Sequence, residues 1–385
     1  MVKNSFPAKT EVLIVGAGPA GSVLARELGQ SGVDVLLCDK AKFPRGKTCG
    51  GGLTLRTLAL LPCDITPVVE RFITGIAFTR NLETFSLRRY PQPIMVTVRR
   101  EKFDQFLVQE AVKAGVNFFE ESQFVSLSPE GKTVRVETSA GPCKAQYVVG
   151  ADGAQGKVAG TLGLLPKRSH ILAIHSEAPI SLIPEWESDL IHVDWGSLKR
   201  SYAYVFPKKN ILSMGAGGVG IPAAGMKNYQ RAFLATRFQK EGLLPFGAAG
   251  FLIPLRSKRC PIQQGRVLLA GDAAGLADPF TGEGIYSSVR SAQIAASVLR
   301  EALRAGEDSL QAYEDEIDRH LMPELEGARL FREMFNLWPS FFHRRVAGRE
   351  RWWNAMAKIL RGEKTFLDLK RKMGPLGSLL HRMAR

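Results

Sequence analysis

Six residues near the start of the chain, Gly16-Ala17-Gly18-Pro19-Ala20-Gly21, have the types and spacing needed to hold a phosphate. They follow the apolar run Glu11–Val15 and open the helix-like stretch Gly18–Ser31, a context that counts for more than the glycines alone. Glycine permits a tight turn and lets backbone N–H groups approach a pyrophosphate, whose charge the helix N-terminus favours. A second apolar run, Asp34–Cys38, is followed by Asp39, eighteen residues past Gly21, and then by Lys40. A carboxylate at that point accepts hydrogen bonds from ribose hydroxyls, so the segment reads as the βαβ opening of an adenine-dinucleotide site. The plainer alternative is that the glycines serve only a strand-to-helix turn.

Gly215-Ala216-Gly217-Gly218-Val219-Gly220 repeats the spacing without the context. Pro222 intervenes before any helix, and no acidic residue closes a following strand at the right distance. This second match reads as a glycine-rich strand end.

Later segments carry related chemistry. Val149-Gly150-Ala151-Asp152-Gly153 is a strand run ending in Asp-Gly, and Val267-Leu268-Leu269-Ala270-Gly271-Asp272-Ala273-Ala274 is one ending in Gly-Asp. Singly, Asp152 and Asp272 read as turn residues, and Arg100, in Arg100-Glu101-Lys102-Phe103-Asp104, as a solvated charge. In order, behind the βαβ opening, they resemble the flavoproteins of the p-hydroxybenzoate hydroxylase type. That resemblance implies non-covalent FAD, with Asp152 and Gly153 near the pyrophosphate, Gly271 and Asp272 at the ribityl chain, and Arg100 reaching the cofactor. A fixed carboxylate at position 272 suits hydroxyl donors. In Pro279-Phe280-Thr281-Gly282-Glu283-Gly284-Ile285, the N–H groups of Gly282, Gly284 and Ile285 suit the flavin N1–O2 edge, where negative charge collects on reduction. Lys40 and Val125, the latter on the strand Gln123–Leu127, complete the expected cofactor contacts.

Two elements narrow the class. Pro44-Arg45-Gly46-Lys47-Thr48-Cys49-Gly50-Gly51-Gly52-Leu53 is similar to the Pro-x-x-Lys-x-Cys-Gly-Gly segment of the geranylgeranyl reductase family, which lies against the isoalloxazine ring. Tyr202-Ala203-Tyr204-Val205-Phe206-Pro207-Lys208 resembles that family's Tyr-x-Trp-x-Phe-Pro strand, with tyrosine at 204 in place of the frequent tryptophan. The resemblance spans roughly residues 10–300. It implies hydride transfer from FAD to an isolated prenyl double bond on a lipid, chlorophyll, diphosphate or quinone. Electrons would come from NADPH, NADH or a reduced ferredoxin-like protein. It also implies that Lys47, Cys49, Gly50 and Gly51 meet the ring and that Cys49 is the catalytic thiol, although a lone cysteine is commonly a small buried hydrophobe. Strand alternation puts Tyr202, Tyr204 and Phe206 on one face, either lining a substrate cavity with Phe251 and Leu252 or serving as core aromatics. A monooxygenase or halogenase of the same fold is the competing enzyme class, though the Trp-x-Trp-x-Ile-Pro motif of flavin halogenases is missing. A non-catalytic flavin electron-transfer protein is the other alternative.

The elements that must position these residues follow from periodicity. β-like runs at Ile73–Thr79, Thr84–Leu87, Ile94–Val98, Val134–Thr138 and Tyr147–Val149 flank an amphipathic helix over Glu101–Ala114. Further runs at Ile171–Ser176, Leu190–Asp194, Tyr202–Phe206 and Ile211–Gly215 precede helices over Gly225–Glu241 and Glu283–Ala305. The expectation is an α/β chain: a Rossmann-like FAD-binding domain from 1–76, 94–170 and 255–305, with an inserted, mostly antiparallel substrate domain from 77–93 and 171–254. A helical, basic region covers 306–385.

The net charge of +15 concentrates at the end, where the last 45 residues hold twelve Lys and Arg against Glu350, Glu363 and Asp368. In Arg351–Arg361 helical spacing gathers Trp352, Trp353, Met356, Ile359 and Leu360 on one side and basic residues on the other. Such a helix lies in a membrane interface or docks on its own core. Nucleic acid is not an expected partner, because no recognition module accompanies the charge. The five cysteines lack Cys-x-x-Cys spacing, which argues against a disulfide framework and a metal site and for a reducing cytoplasm. No apolar stretch reaches spanning length, and no export signal is read at the N-terminus. A peripheral position on the inner membrane face remains compatible with this.

Overall fold

In the computed structural model, which describes residues 5–164, 169–183, 185–238, 246–257 and 260–372, the chain opens with β1 (Lys9–Val15), α1 (Pro19–Gln30) and β2 (Val35–Cys38). Val12 to Ile14 and Val35 to Cys38 are buried without alternation, as strands covered on both faces must be. Pro19 stands in the first turn of α1, where a missing N–H costs nothing. Next come β3 (Gly52–Thr54), the single turn α2 (Leu55–Leu58), β4 (Val69–Ile73), β5 (Gly75–Arg80), β6 (Thr84–Arg89) and β7 (Met95–Val98). α3 (Arg100–Lys113) leads to β8 (Asn117–Phe119), β9 (Phe124–Glu130), β10 (Thr133–Thr138), β11 (Gly141–Gly150) and the short α4 (Val158–Thr161). Then follow β12 (Ser169–Pro179), β13 (Leu190–Trp195), β14 (Ser201–Pro207), β15 (Ile211–Gly218), α5 (Ala223–Phe238), β16 (Phe246–Leu255), β17 (Gln263–Gln264) and β18 (Val267–Leu269). The remainder is helical: α6 (Ile285–Ala305), α7 (Gln311–His320), α8 (Met322–Leu337), α9 (Pro339–Gly348), α10 (Glu350–Leu360) and α11 (Phe366–Lys372).

Three sheets result. An eight-stranded sheet runs β17-β18-β11-β1-β2-β8, parallel from β18 to β8, with the β9–β10 hairpin attached to β11. A seven-stranded sheet runs β16-β12-β15-β14-β13-β5-β6, antiparallel except where β13 meets β5. The small sheet β3-β7-β4 joins the two: Thr97 on β7 donates to Pro207 O at 2.7 Å, and Arg71 on β4 donates to Lys209 O at 3.1 Å.

The expected α/β architecture is therefore present, and α1, α3 and α6 begin within two residues of the spacing-based starts. Gly215–Gly218 lies inside β15, as its failed context implied. The helix read over Gly225–Glu241 is α5, with positions 239–241 outside the described residues, as is the basic run beyond 372. β4 and β16 carried no recognised strand signal. In β16, Gly250 and Pro254 mimic a loop, and the proline is tolerated because β16 is the sheet edge.

Of the two readings of Arg351–Arg361, docking on the protein's own core is the one that the structure matches. Trp353 is 2% exposed and its indole N–H donates to Arg89 O at 2.8 Å, while Ala357 and Ile359 are also buried. The apolar face of α10 is turned onto the protein's own core. Among the described residues no helix is long and apolar enough to cross a membrane.

Candidate active site

The dinucleotide loop is shaped by contacts that only glycine permits. Gly16 turns with φ +104, and a Cβ there would stand 2.4 Å from Ala151 O at the end of β11. A Cβ on Gly21 would meet Gly16 O at 1.9 Å, so α1 packs directly on the turn. Asp39, one residue past β2, accepts from the N–H of Ala17 through Oδ2 (2.8 Å) and of Ala41 through Oδ1 (2.9 Å). Its carboxylate thus pins the loop, a role that spacing alone did not suggest. Lys40 beside it is exposed, and Val125 on β9 is 58% exposed. Asp152 Oδ2 accepts from Val158 N–H at 3.1 Å, and Gly153 turns with φ +78.

Two residues missing from the expected contacts belong to this neighbourhood. Arg45 lies over the first turn of α1, its Nη2 3.6 Å from where a Gly18 Cβ would be, and bridges Asp39 (3.8 Å) and Asp104 (3.2 Å). Asp104 is fully buried and holds Arg100 through two bonds of 2.8 Å. Its position one helical turn after Arg100 was the available signal. Burial opposes the Arg100 charge, but Asp104, with Cys49 adding to it, holds its pKa above the ordinary value.

Asp272 sits in the turn after β18. Gly271, with φ +59, lies between Ala20 of α1 and Ser288 of α6, which brings the two helix N-termini to the same turn. Asp272 Oδ1 is a buried acceptor with no partner among the described residues. Burial pushes this carboxyl above its usual range, against the nearby charges of Lys47 and Arg100. Gly284 precedes α6 without a side-chain cap, and a Cβ on it would come within 2.7 Å of Asp272 Oδ1. These features fit FAD: an unfilled carboxylate acceptor for a ribityl hydroxyl, two uncapped helix starts for the pyrophosphate and flavin edge, and a cradle that a single Cβ would fill. Arg45 over α1 and Arg100 beside Cys49 add the cations that such an anion requires.

Beside this cradle is a cavity of about 280 Å³. Cys49 and Gly50 to Gly52 form one wall, Tyr202, Tyr204, Phe206 and Phe251 another, and Phe335, Met356 and Leu360 of the C-terminal helices a third. The strand aromatics share one face as alternation required, with Tyr204 and Phe206 centroids 4.8 Å apart. Cys49 Sγ accepts from Gly51 N–H at 3.4 Å, and a Cβ on Gly50 would press to 2.8 Å on the Tyr204 ring. Lys47 places its ammonium over Phe251 at 5.8 Å. Gly282 lies under Tyr202, whose hydroxyl donates to Thr281 O at 2.9 Å. The helical wall left no local mark in the sequence.

One knot ties this loop to the chain's later helices. Arg56, 8% exposed, contacts Asp278 (3.2 Å), Glu283 (3.3 Å) and Glu324 (3.3 Å). Glu283 also accepts from Thr54 and Thr57, while Glu324 accepts from the N–H groups of Phe366 and Leu367, both at 3.0 Å.

Residues 9–193 and 256–325 match the family described as FAD binding domain. The chain is 30% identical over 341 residues to digeranylgeranylglycerophospholipid reductase 3 of Methanosphaera stadtmanae, covering 81% of this chain and 83% of that one. It superimposes on a geranylgeranyl bacteriochlorophyll reductase-like protein of Thermoplasma acidophilum with a TM-score of 0.76 at 23% identity, covering 86% and 88% of the two chains. A flavin-dependent brominase shares the fold with a TM-score of 0.72 at 20% identity, covering 92% and 94%. Motif order, cradle and sequence relationship agree: the chain belongs to the geranylgeranyl reductase family of FAD-dependent oxidoreductases.

Proposed function

We propose that this enzyme reduces carbon–carbon double bonds in the prenyl chain of a lipid with a polar or anionic headgroup, a digeranylgeranylglycerophospholipid-type molecule or a prenylated quinone. The observation that carries the reading is the cavity, whose wall beside Cys49 is hydrocarbon and aromatic, while Arg200, Arg332 and Asn336 also line it. Arg332 Nη1 is a buried donor with no partner among the described residues, and an anionic headgroup would supply one. FAD, once reduced, supplies the hydride. An isolated alkene offers no carbonyl to stabilise charge, so the protein contributes position, dryness and a proton. The aromatic strand fixes the chain against the Cys49 loop, and the C-terminal helices exclude water. Cys49, whose Sγ accepts from Gly51 N–H, presents its thiol at the wall assigned to the ring.

NADPH, NADH or a reduced ferredoxin-like protein is the proposed electron donor. Membrane docking is assigned to the corner between α8 and α9 rather than to α10. Leu337, Trp338 and Phe341 are 55%, 44% and 39% exposed there, and Arg344, Arg349 and Arg351 are exposed nearby. Leu337 directly follows the cavity residues Phe335 and Asn336, so a substrate leaving a leaflet at this corner would meet the cavity first.

Anaerobic turnover of dithionite-reduced protein with geranylgeranyl lipids and menaquinone, read by product mass, tests the reading. A gain of two hydrogens per bond is expected. Unchanged lipid, with rapid oxygen consumption and a hydroxylated or halogenated product in air, would replace it with the oxygenase class.

A further inference from the structure

On the cavity side of the seven-stranded sheet, three residues lie side by side in register. His175 on β12 stands opposite Gly215 on β15, and Gly215 stands opposite Tyr204 on β14. Because position 215 has no side chain, the Tyr204 ring lies across it; an added Cβ would be 2.4 Å from the phenol oxygen. The hydroxyl thereby reaches His175 Nδ1 at 3.3 Å. On the other side of the imidazole, Nε2 faces Glu177 Oε1 at 3.6 Å. Glu177 also accepts from Ser213 Oγ at 3.1 Å and lies 3.6 Å from Lys208 Nζ, which itself bonds Ser213.

Exposure is graded along this line. The Glu177 side chain is 46% exposed, whereas His175 and Tyr204 are each 7% exposed and Lys208 is 2% exposed. Exchangeable protons therefore run from solvent, through one buried imidazole, to a phenol that faces the cavity beside Gly50. Packing alone would be satisfied by Leu and Phe at positions 175 and 204. A buried imidazole bonded to a buried hydroxyl and standing 3.6 Å from a surface carboxylate has the arrangement of a conduit.

We propose that Glu177, His175 and Tyr204 form a proton relay, and that the Tyr204 hydroxyl protonates the second carbon of the reduced double bond. The inference rests on the prenyl-reduction reading above. For each bond reduced, one C–H bond forms from the hydride that reduced FAD supplies. The alkene π pair forms the second C–H bond with the Tyr204 proton as that O–H bond breaks. The phenol oxygen takes the proton on Nδ1 of His175, and Nε2 takes one from water at the Glu177 end. Exchange with water after product release returns the starting tautomer. Burial pushes the Tyr204 phenol well above its ordinary pKa, with Cys49, Tyr202 and Glu177 adding to the shift, so the phenolate is not a resting species. Tyr204 consequently yields its proton only as His175 replaces it. Glu177 stays ionised because the His175 imidazole 3.6 Å away, together with Lys208 and Ser213, draws its carboxyl down to about 2 against partial burial.

The test compares wild-type protein with Tyr204→Phe, His175→Gln and Glu177→Leu. Tyr204→Phe should lower kcat about 100-fold with KM, bound FAD and the rate of FAD reduction by its donor unchanged. His175→Gln should lower kcat at least about 10-fold, and adding it to Tyr204→Phe should cost little more, because members of one relay are not additive. In FAD-free protein, NMR should show the His175 ring proton exchanging with water, and Glu177→Leu should slow that exchange at least about 10-fold. Tyr204→Phe turnover within threefold of wild type, or exchange indifferent to Glu177→Leu, overturns the relay. Absence of reduced product from wild-type protein overturns the prenyl-reduction reading instead, while the exchange result still judges the conduit.

Discussion

Around Gly16, Gly21 and Gly271 the parallel-sheet half shapes its site with main chain, where one added methyl would collide with a carbonyl, a helix or a hydroxyl. Across the cavity, the seven-stranded sheet shapes its wall with the side chains of Tyr202, Tyr204, Phe206 and Phe251. Main chain cannot yield locally, whereas side chains rotate and trade volume. Substitutions in the first half should therefore be all-or-none, and those in the second graded.

Gly16→Val is the most severe test of that contrast. Its Cβ would meet Ala151 O at 2.4 Å in a backbone region that valine avoids, so FAD retention should vanish, with affinity down at least about 100-fold. Flavin absorbance of the purified variant reads this directly, and an affinity within threefold of wild type would break the comparison. Arg56→Met comes next: it leaves Asp278, Glu283 and Glu324 buried without their cation and should cost about 3–5 kcal/mol, seen as a lower Tm by calorimetry.

Asp272→Asn separates binding from folding. FAD affinity should fall by about 1.5–3 kcal/mol, because a charged acceptor is lost. The FAD-free protein should become more stable, because the buried carboxylate is costly there. Titration calorimetry and thermal melts without flavin should move in opposite directions; parallel movement would mean that Asp272 is structural.

The effect smallest near neutral pH is the pH dependence set by His192 on β13, whose Nδ1 accepts from Arg237 at 2.8 Å. Burial, with the Arg237 charge beside it, pushes the imidazole down to about 3. Below the ordinary value of about 6.5 the unfolded chain binds a proton that the folded chain refuses. Stability should thus be full above that pH and fall by about 1.4 kcal/mol per pH unit toward 3. His192→Gln should flatten this slope in denaturant titrations, and an unchanged slope would assign the effect to other groups.

The same contrast explains what the sequence made legible. Gly16 to Gly21, and Gly271 with Asp272, are short runs whose residue types stand together in sequence, and Asp39 follows at a set spacing, so the pattern shows even where the contact partner, such as Ala151 for Gly16, is distant. Tyr202, Tyr204 and Phe206 were legible because a strand's alternation is equally local. Phe335, Met356 and Leu360 reach the cavity from helices far along the chain, and nothing in their neighbourhoods distinguishes a cavity wall from any other packed face. The α10 pattern was ambiguous for a related reason: periodicity reveals an apolar stripe without naming the phase that covers it, and Trp353 proved to face protein. The His175–Tyr204 pair was hidden because its partners meet through strand register, which pattern alone does not fix.

The Arg56 knot has a temporal meaning as well. Glu324 takes two of its hydrogen bonds from Phe366 and Leu367, and the same guanidinium that holds Glu324 holds Glu283 in the loop before α6. During synthesis the glycine-rich turn and Arg56 emerge first and Glu283 can join Arg56, Thr54 and Thr57 once the loop before α6 follows, but Glu324 gains its last partners only when α11 arrives more than three hundred residues after that turn. The Arg56 cluster is thereby completed only in nearly finished chains.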